Sequence, residues 1–263
     1  MSLASHLLGR VTVLTGAGVS TASGIPDYRG PTARPRKRPP IDHRDFVGHA
    51  STRARYWARS MLGWPRFRSF EPNLAHQALA RLEASGRVHH LITQNVDGLH
   101  QKAGSQRVLE LHGSLAQVRC LACSALSHRD ELQRRLLETN PRLLEWTAAL
   151  QPDGDADLPD EATADFVVPE CLACGGVLKP DVVFFGDNVP APRLRQALAQ
   201  ADDAQTLLVL GSSLTVYSGF RFVLRARERG QRVVLVNRGP TRADELCDWK
   251  LDEDVGAALA TLD

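Results

Sequence analysis

Two cysteine pairs, Cys120-Leu121-Ala122-Cys123 and Cys171-Leu172-Ala173-Cys174, have the spacing of metal knuckles. Together they offer four thiolates to one tetrahedral Zn2+ and leave no coordination position open. A closed site of this kind holds a fold together and performs no chemistry. A redox dithiol is the rival reading of each Cys-x-x-Cys pair. Cys247 is left over, and packing is its default role.

Other residues could do chemistry. The turn Gly16-Ala17-Gly18-Val19-Ser20-Thr21 follows an apolar run, and its glycines would let backbone approach a pyrophosphate while a helix starting nearby aims N–H groups at it. Thr21 fills the slot of the third glycine of the dinucleotide fingerprint, and no acidic residue ends a second strand about 20 residues on, which disfavours a hydride-transferring dehydrogenase. A structural tight turn stands beside the phosphate reading. The stretch Thr93-Gln94-Asn95-Val96-Asp97-Gly98-Leu99-His100 puts an amide pair and a carboxylate at a strand end. Gln94, Asn95 and Asp97 are costly to bury unless they bond an amide or ribose hydroxyls. His112, in Glu110-Leu111-His112-Gly113, is one of nine histidines, and a neutral imidazole there suits a general base.

The elements that must position these groups read as alternating strands and helices. Val11 to Leu14, Val88 to Thr93, Val182 to Phe185, Thr206 to Leu210 and Val233 to Val236 read as buried strands. Leu74 to Ala84, Arg193 to Ala201 and Phe220 to Arg229 read as helices. The alternation predicts an α/β fold: a Rossmann-like parallel sheet with helices on both faces, a smaller zinc-binding module and a helical insertion. Gly211-Ser212-Ser213 and Asn237-Arg238-Gly239 follow two of these strands, so four strand-end loops converge on one crevice. The expected division is a dinucleotide-binding domain over 1–30, 74–117 and 180–263, a cofactor loop with a helical insertion over 31–73, and a zinc module over 118–179.

Composition removes several function classes. The chain has 263 residues, 43% hydrophobic and 24% charged, enough for a buried core and far from a disordered composition. With 32 basic and 30 acidic residues the net charge is +2, so no overall field draws it onto nucleic acid or membrane. No run approaches the ~18 apolar residues of a membrane helix, and the first strand starts too early for a targeting peptide, so a cytoplasmic protein is expected. The basic stretch Arg34-Pro35-Arg36-Lys37-Arg38 reads as a solvated loop, and Pro152 to Glu170, acidic without a basic residue, as another.

Taken together, these motifs resemble those of the sirtuins. Gly16-Ala17-Gly18-Val19-Ser20, Gly24-Ile25-Pro26-Asp27-Tyr28-Arg29, Thr93 to His100, Leu111-His112-Gly113, the two cysteine pairs, Lys179 to Asp187 and Gly211-Ser212-Ser213 occur here in that family's order and cover nearly the whole chain. Arg55-Tyr56-Trp57-Ala58-Arg59, Gly63-Trp64-Pro65 and Val216-Tyr217-Ser218-Gly219 look like the class II branch that includes the sirtuin-four type, in a bacterial member.

The resemblance implies NAD-dependent removal of acyl groups from protein lysine. The acyl oxygen attacks C1′ of the nicotinamide ribose, nicotinamide leaves, and a histidine deprotonates a ribose hydroxyl so that the 2′-oxygen takes the acyl group. NAD is thus consumed as co-substrate, and one Zn2+ is structural. His112 would be the base, with Asn95 and Asp97 beside it and Gln94 in the same pocket. Gly16, Ala17, Gly18 and Ser20 would hold the pyrophosphate under a loop carrying Asp27, Tyr28 and Arg29. Gly211, Ser212, Ser213, Asn237, Arg238, Gly239 and the backbone near Val255 would meet the adenosine half. An acyl-lysine peptide would add as a strand at Val183, Phe184, Phe185 and Gly186 and at Leu214 to Gly219.

Tyr56 and Arg59 share a helix face at i and i+3. They resemble the Tyr-x-x-Arg pair of another class II sirtuin type, which implies selection of dicarboxylic acyl groups by an Arg fork. Trp57 and Gly63-Trp64-Pro65 resemble the sirtuin-four type, which implies bulkier or branched acyl groups, and ordinary packing is the alternative for Tyr56 and Arg59. Acyl-lysine proteins are the expected partners, with neither membrane nor nucleic acid, and a monomer is favoured. Mono-ADP-ribosylation of a protein acceptor from the same pocket is the second enzyme reading. A zinc-ribbon nucleic-acid module, supported only by the Arg34 to Arg38 run, is the third.

Overall fold

The computed structural model describes residues 2–27, 30, 40–146, 158 and 163–262. Its strands are β1 (Val11–Thr15), β2 (Val88–Thr93), β3 (Val108–Glu110), β4 (Gly113–Cys120), β5 (Leu126–His128), β6 (Leu178–Val182), β7 (Thr206–Leu210), β8 (Arg232–Val236) and β9 (Trp249–Leu251). The α-helices are α1 (His43–Gly48), α2 (Ala50–Arg68), α3 (Leu74–Ala84), α4 (Leu99–Lys102), α5 (Arg129–Thr139), α6 (Ala191–Asp202), α7 (Tyr217–Glu228) and α8 (Val255–Leu259). None of the described helices is long and apolar enough to cross a membrane. The chain forms two compact units, one of Met1–Arg34, Phe70–His112 and Val189–Asp263, the other of Pro35–Ser69 and Gly113–Asn188.

The first unit is built on a six-stranded parallel sheet in the order β3-β2-β1-β7-β8-β9. Its central strands are apolar without alternation because both faces are covered. Val11 and Val13 of β1 and Leu208 and Leu210 of β7 face Ala78 and Leu79 of α3 and Leu259 of α8. Leu14, Leu207 and Val209 face Ala197 of α6 and Phe222 and Val223 of α7. β2 and β3 lie on one side of β1, and β7 to β9 on the other, so strand order reverses between β1 and β7. That reversal is where a parallel sheet opens a ligand crevice at its carboxyl edge.

The second unit joins the helical stretch after Pro40 to the cysteine-bearing segment. Its sheet is antiparallel, β5-β4-β6, and its core gathers Phe46, Trp57 and Met61 around Val118, Leu132, Leu136 and Leu178. Pro65 lies inside α2 and has no N–H to give the Met61 carbonyl; Nε2 of Gln133 donates to that carbonyl at 2.8 Å instead. Arg129, buried, stands over the rings of Trp57 and Trp64 at 5.4 and 5.3 Å.

One strand expectation fails. Val182 to Phe185 is not a parallel core strand: β6 ends at Val182 and pairs antiparallel with β4 at the edge of the small sheet. Pro180 is tolerated because an edge strand need not donate on both sides, and Phe184 and Phe185 fall in the loop beyond. Nor does an α-helix follow β1 directly; the turn winds into two short 3-10 segments, Ala17–Val19 and Thr21–Ser23.

Candidate active site

At the carboxyl ends of β1 and β7 the backbone is so close that only glycine fits. A Cβ on Gly16 would lie 2.7 Å from the Ser212 Cβ and 2.8 Å from the Gly211 carbonyl, and one on Gly18 would lie 2.9 Å from the Gly211 Cα. Gly211, at φ +59°, closes the contact from the other side. Gly16 N–H donates to Leu210 O (3.0 Å) and Gly18 N–H to Gly211 O (2.9 Å), lacing the two loops together. These glycines therefore serve loop-on-loop packing. Asn73, the N-cap of α3, fixes the turn from below, its Nδ2 donating to Val19 O (2.8 Å) and Ser23 Oγ (3.0 Å).

The amide and carboxylate groups after β2 converge on the same turn. Asn95 Nδ2 donates to Gly16 O and to Ser20 Oγ, both at 3.1 Å, and the Ser20 hydroxyl donates to Asp97 Oδ2 at 2.7 Å. Gln94 Nε2 donates to Thr15 O (3.1 Å) and Ser212 Oγ (3.0 Å). Asp97 Oδ1 accepts the Leu99 N–H at 3.0 Å, yet burial wins over these bonds and pushes its carboxyl above the ordinary carboxylate range. Behind them His100, fully enclosed, is kept neutral by burial and shares the Thr15 hydroxyl at 3.0 Å. His76, also neutral, is pushed down to about 4 by burial.

His112 sits just past β3, its ring held from both ends. Nδ1 lies 2.8 Å from Gln94 O, and Nε2 lies 2.8 Å from Ser218 Oγ at the start of α7. A carbonyl only accepts, so Nδ1 carries the proton and Nε2 presents its lone pair. Burial lowers the imidazole's affinity for a second proton; the Gln94 carbonyl opposes this and the Arg193 charge adds to it. The group is a neutral base at physiological pH.

Of the remaining positions predicted for the cofactor, Ser212 and Ser213 follow β7 and Asn237 to Gly239 follow β8, at the same sheet edge. Ser212 Oγ accepts from Gln94, and Ser213 Oγ lies 3.0 Å from Thr215 Oγ1. Asn237 Nδ2 donates to Arg238 O (2.9 Å) and Gly239 O (3.3 Å), a local turn that leaves Gly239 at φ +81°. Val255 begins α8, capped by Asp254, whose Oδ1 accepts the Gly256 N–H at 2.9 Å. Asp27 is buried and accepts the Gly30 N–H at 2.9 Å. Ala17 belongs to the first 3-10 segment. Tyr28 and Arg29 lie outside the described residues.

In the second unit the four cysteines come together. Their sulfurs all lie within 4.8 Å of one another, with Cys120 and Cys174 3.5 Å apart and Cys123 and Cys171 3.8 Å apart. Zn–S bonds of about 2.3 Å require tetrahedral sulfurs about 3.8 Å apart. The two knuckles are copies of one another: Ser124 N–H donates to Cys120 O and Gly175 N–H to Cys171 O, and Ser124 and Gly175 both have positive φ, +62° and +70°. Backbone N–H groups, that of Cys123 first, pull the Cys120 thiol down to about 6, while its sulfur neighbours push Cys174 up to about 12. Four sulfurs crowded in this way cannot all ionise unless a cation sits among them, and the donor set fits Zn2+.

The predicted substrate residues share that unit. Tyr56 is buried edge-on to Phe46 (5.4 Å) and tilted against Phe184 (5.3 Å), with Arg59 one turn along α2. Val183 and Phe184 are half-buried, Phe185 and Gly186 exposed. Sequence reasoning missed Ser218 as the partner of His112, because nothing in the loop's composition marks a contact 106 positions away. It also missed His76, whose signal is faint: an N3 histidine in the capping box of α3.

Known proteins place these features in one lineage. A model of the Sir2 family matches residues 16–218. The chain is 53% identical over 253 residues to an NAD-dependent protein deacetylase of Xanthomonas axonopodis pv. citri, covering 96% of this chain and 86% of that protein. It is 51% identical over 258 residues to the mitochondrial NAD-dependent protein lipoamidase sirtuin-4 of Bos taurus, covering 97% and 82%. Among solved structures, a Sir2 protein with a p53 peptide and NAD+ aligns with a TM-score of 0.73 at 34% identity over 96% of this chain and 91% of that one. A Sir2 protein bound to an acetylated peptide aligns with the same score at 32% identity, covering 96% and 91%.

Proposed function

The chain belongs to the Sir2 family, and on that premise we infer how its own residues carry out NAD-dependent removal of acyl groups from protein lysine. NAD supplies the nicotinamide–ribose bond that breaks and the ribose oxygen that carries the acyl group away, leaving free lysine, nicotinamide and 2′-O-acyl-ADP-ribose. The observation that carries the residue assignment is the setting of His112: a neutral imidazole with its lone pair at Nε2, beside the Gln94, Asn95 and Asp97 network at the switch point of the sheet. Nε2 takes the proton of a ribose hydroxyl. Asn95 and Asp97 line the nicotinamide and ribose end, and Ser20 orients both of their side chains. The glycine turn at Gly16 and Gly18 receives the pyrophosphate, and Asn237, Arg238, Gly239 and Val255 the adenosine half.

NAD binding is assigned to the unit with the six-stranded sheet, and the structural zinc to the other. Val183 to Gly186 receive the peptide backbone, and Tyr56 and Arg59 select the acyl group. A cytosolic site of action is part of the same proposal, because thiolate ligands persist in a reducing compartment. The working form is a monomer, and no nucleic acid takes part.

The test incubates the purified chain with NAD and peptides that differ only in their lysine acyl group, following nicotinamide and peptide mass together. Matched nicotinamide release and acyl loss, both abolished in His112→Ala, support the assignment. Nicotinamide release with every acyl group intact and ADP-ribose added to protein would favour transfer instead, and a fully active His112→Ala would remove the histidine from its role.

A further inference from the structure

At the opposite end of β2 from the NAD site, a second group of ligand-bearing side chains has no part in deacylation. Along β1 and β2 the pairing steps from Val11↔Val88 to Thr12↔His90, so His89 is an extra residue, a bulge in β2. In a regular strand His89 and His90 would point to opposite faces. The bulge re-aims them, and their rings meet edge to face with centroids 4.4 Å apart.

Asp203, held at the C-terminal end of α6, faces the pair. Its Oδ2 lies 3.0 Å from His89 Nε2, and one ligand atom from each of His89, His90 and Asp203 lies within 4.8 Å of the other two. His90 Nδ1, shielded from solvent, has no hydrogen-bond partner among the described residues. The nearby cations are already matched: Arg10 binds the other Asp203 oxygen, Oδ1, at 2.9 Å, and Arg107 binds Glu83 at 3.3 Å. Arg10 thereby orients the carboxylate and keeps Oδ2 turned toward the histidines, as hydrogen-bond partners behind a metal ligand do for metal-bound carboxylates.

We propose that His89, His90 and Asp203 form a second metal site, distinct from the four cysteines, that takes a divalent first-row transition ion of the Zn2+ class. Two imidazoles and one carboxylate are a donor set for such ions, and bonds of about 2.0–2.1 Å put tetrahedral neighbours about 3.4 Å apart, so the 3.0 Å between His89 Nε2 and Asp203 Oδ2 widens slightly while every pair of ligand atoms already lies within 4.8 Å. His89 and Asp203 retain a third or more of their exposure, so water fills the remaining positions and the ion enters from solvent. Bound there, it ties the bulge of β2 to the end of α6.

The test uses this 263-residue chain, untagged and with its cysteine zinc in place, titrated with ZnCl2 and analysed for metal after desalting and by calorimetry. The parent should take up one equivalent beyond the cysteine zinc, at micromolar concentrations, with a rise in Tm. His89→Ala and Asp203→Asn should each lose that equivalent while keeping the first zinc and full deacylase activity, which shows that they fold. His128→Ala, an exposed histidine elsewhere, should keep both. No second equivalent in the parent, or one that survives both site variants, overturns the proposal.

Discussion

The hydroxyl of Ser218 lies 2.8 Å from Nε2 of His112, on the ring nitrogen opposite the one that donates to the Gln94 carbonyl. Ser218 is therefore the donor on that side, and its bond favours the neutral imidazole. Burial also lowers the histidine below its ordinary value of about 6.5, so the imidazole is neutral at pH 7, and in the proposed role of base it should lose activity only as pH falls through that lowered value. Ser218→Ala removes a bond worth about 0.5–1.5 kcal/mol, so kcat should fall roughly 2–10-fold. The acid limb of the pH–rate profile should also move upward, because the neutral form has lost support. A limb that stays in place with kcat unchanged would mean that the hydroxyl only fills space.

Asp97 carries the opposite cost. Burial raises its carboxyl in the native state, so the folded chain holds the proton more tightly than the unfolded chain. The resulting penalty is absent below the unfolded value near 3.8, grows as pH rises above it, and is complete above the native value. Asp97→Asn should therefore raise Tm at pH 7 and leave it unchanged near pH 3, while NAD turnover falls sharply. An Asn variant less stable at neutral pH would show that the Ser20 and Leu99 bonds outweigh desolvation.

The zinc site is stabilising without being catalytic. Cys171→Ser removes one of four sulfurs from a closed set, and the ligand loss should lower bound zinc below one per chain and lower Tm, because metal binding and folding of the small module are coupled. Chelation of the parent should reproduce the effect, and added Zn2+ should reverse it. A variant with full zinc content and the parental melting curve would refute the four-cysteine site.

Much of this was readable in the residues. β2, β7 and α3 were legible to their ends because each carries an unbroken pattern with a turn or cap at its border, as Asn73 supplies for α3. Leu178 to Val182 was not, since Lys179 and Pro180 argue against a strand and only the pairing with β4 makes one. The motif residues at strand ends were visible as types, while their partners were not. Gly16 and Gly18 read as phosphate-facing glycines, yet what demands them is Gly211, far away in sequence. The bond from Ser218 to His112 has the same origin: tertiary approach, which no local spacing encodes.

Gly211 tests that approach directly. At φ +59° an L side chain is strained, and its Cβ would meet the Val19 nitrogen at 2.5 Å, a backbone atom that cannot turn aside. Gly211→Ala should cost about 1–3 kcal/mol, lowering Tm by several degrees, and should weaken NAD binding more than peptide binding. A neutral substitution would mean that the β1 and β7 loops separate without cost.

The proposed acyl preference is the last step, and Arg59 tests it. Tyr56 is occupied by aromatic packing against Phe46, Trp57 and Phe184, so replacing it would disturb the core as well as any pocket. Arg59, half-buried and one turn along α2, is the cleaner probe. If its guanidinium receives the terminal carboxylate of an acidic acyl group, Arg59→Met should lower kcat/KM for a succinylated peptide by about tenfold or more, since charge-assisted bonds contribute about 1.5–3 kcal/mol. Acetylated and lipoylated peptides should be affected little. Equal loss across acidic and neutral acyl groups would assign Arg59 to the packing of α2 and leave acyl choice to the apolar surface around Phe184.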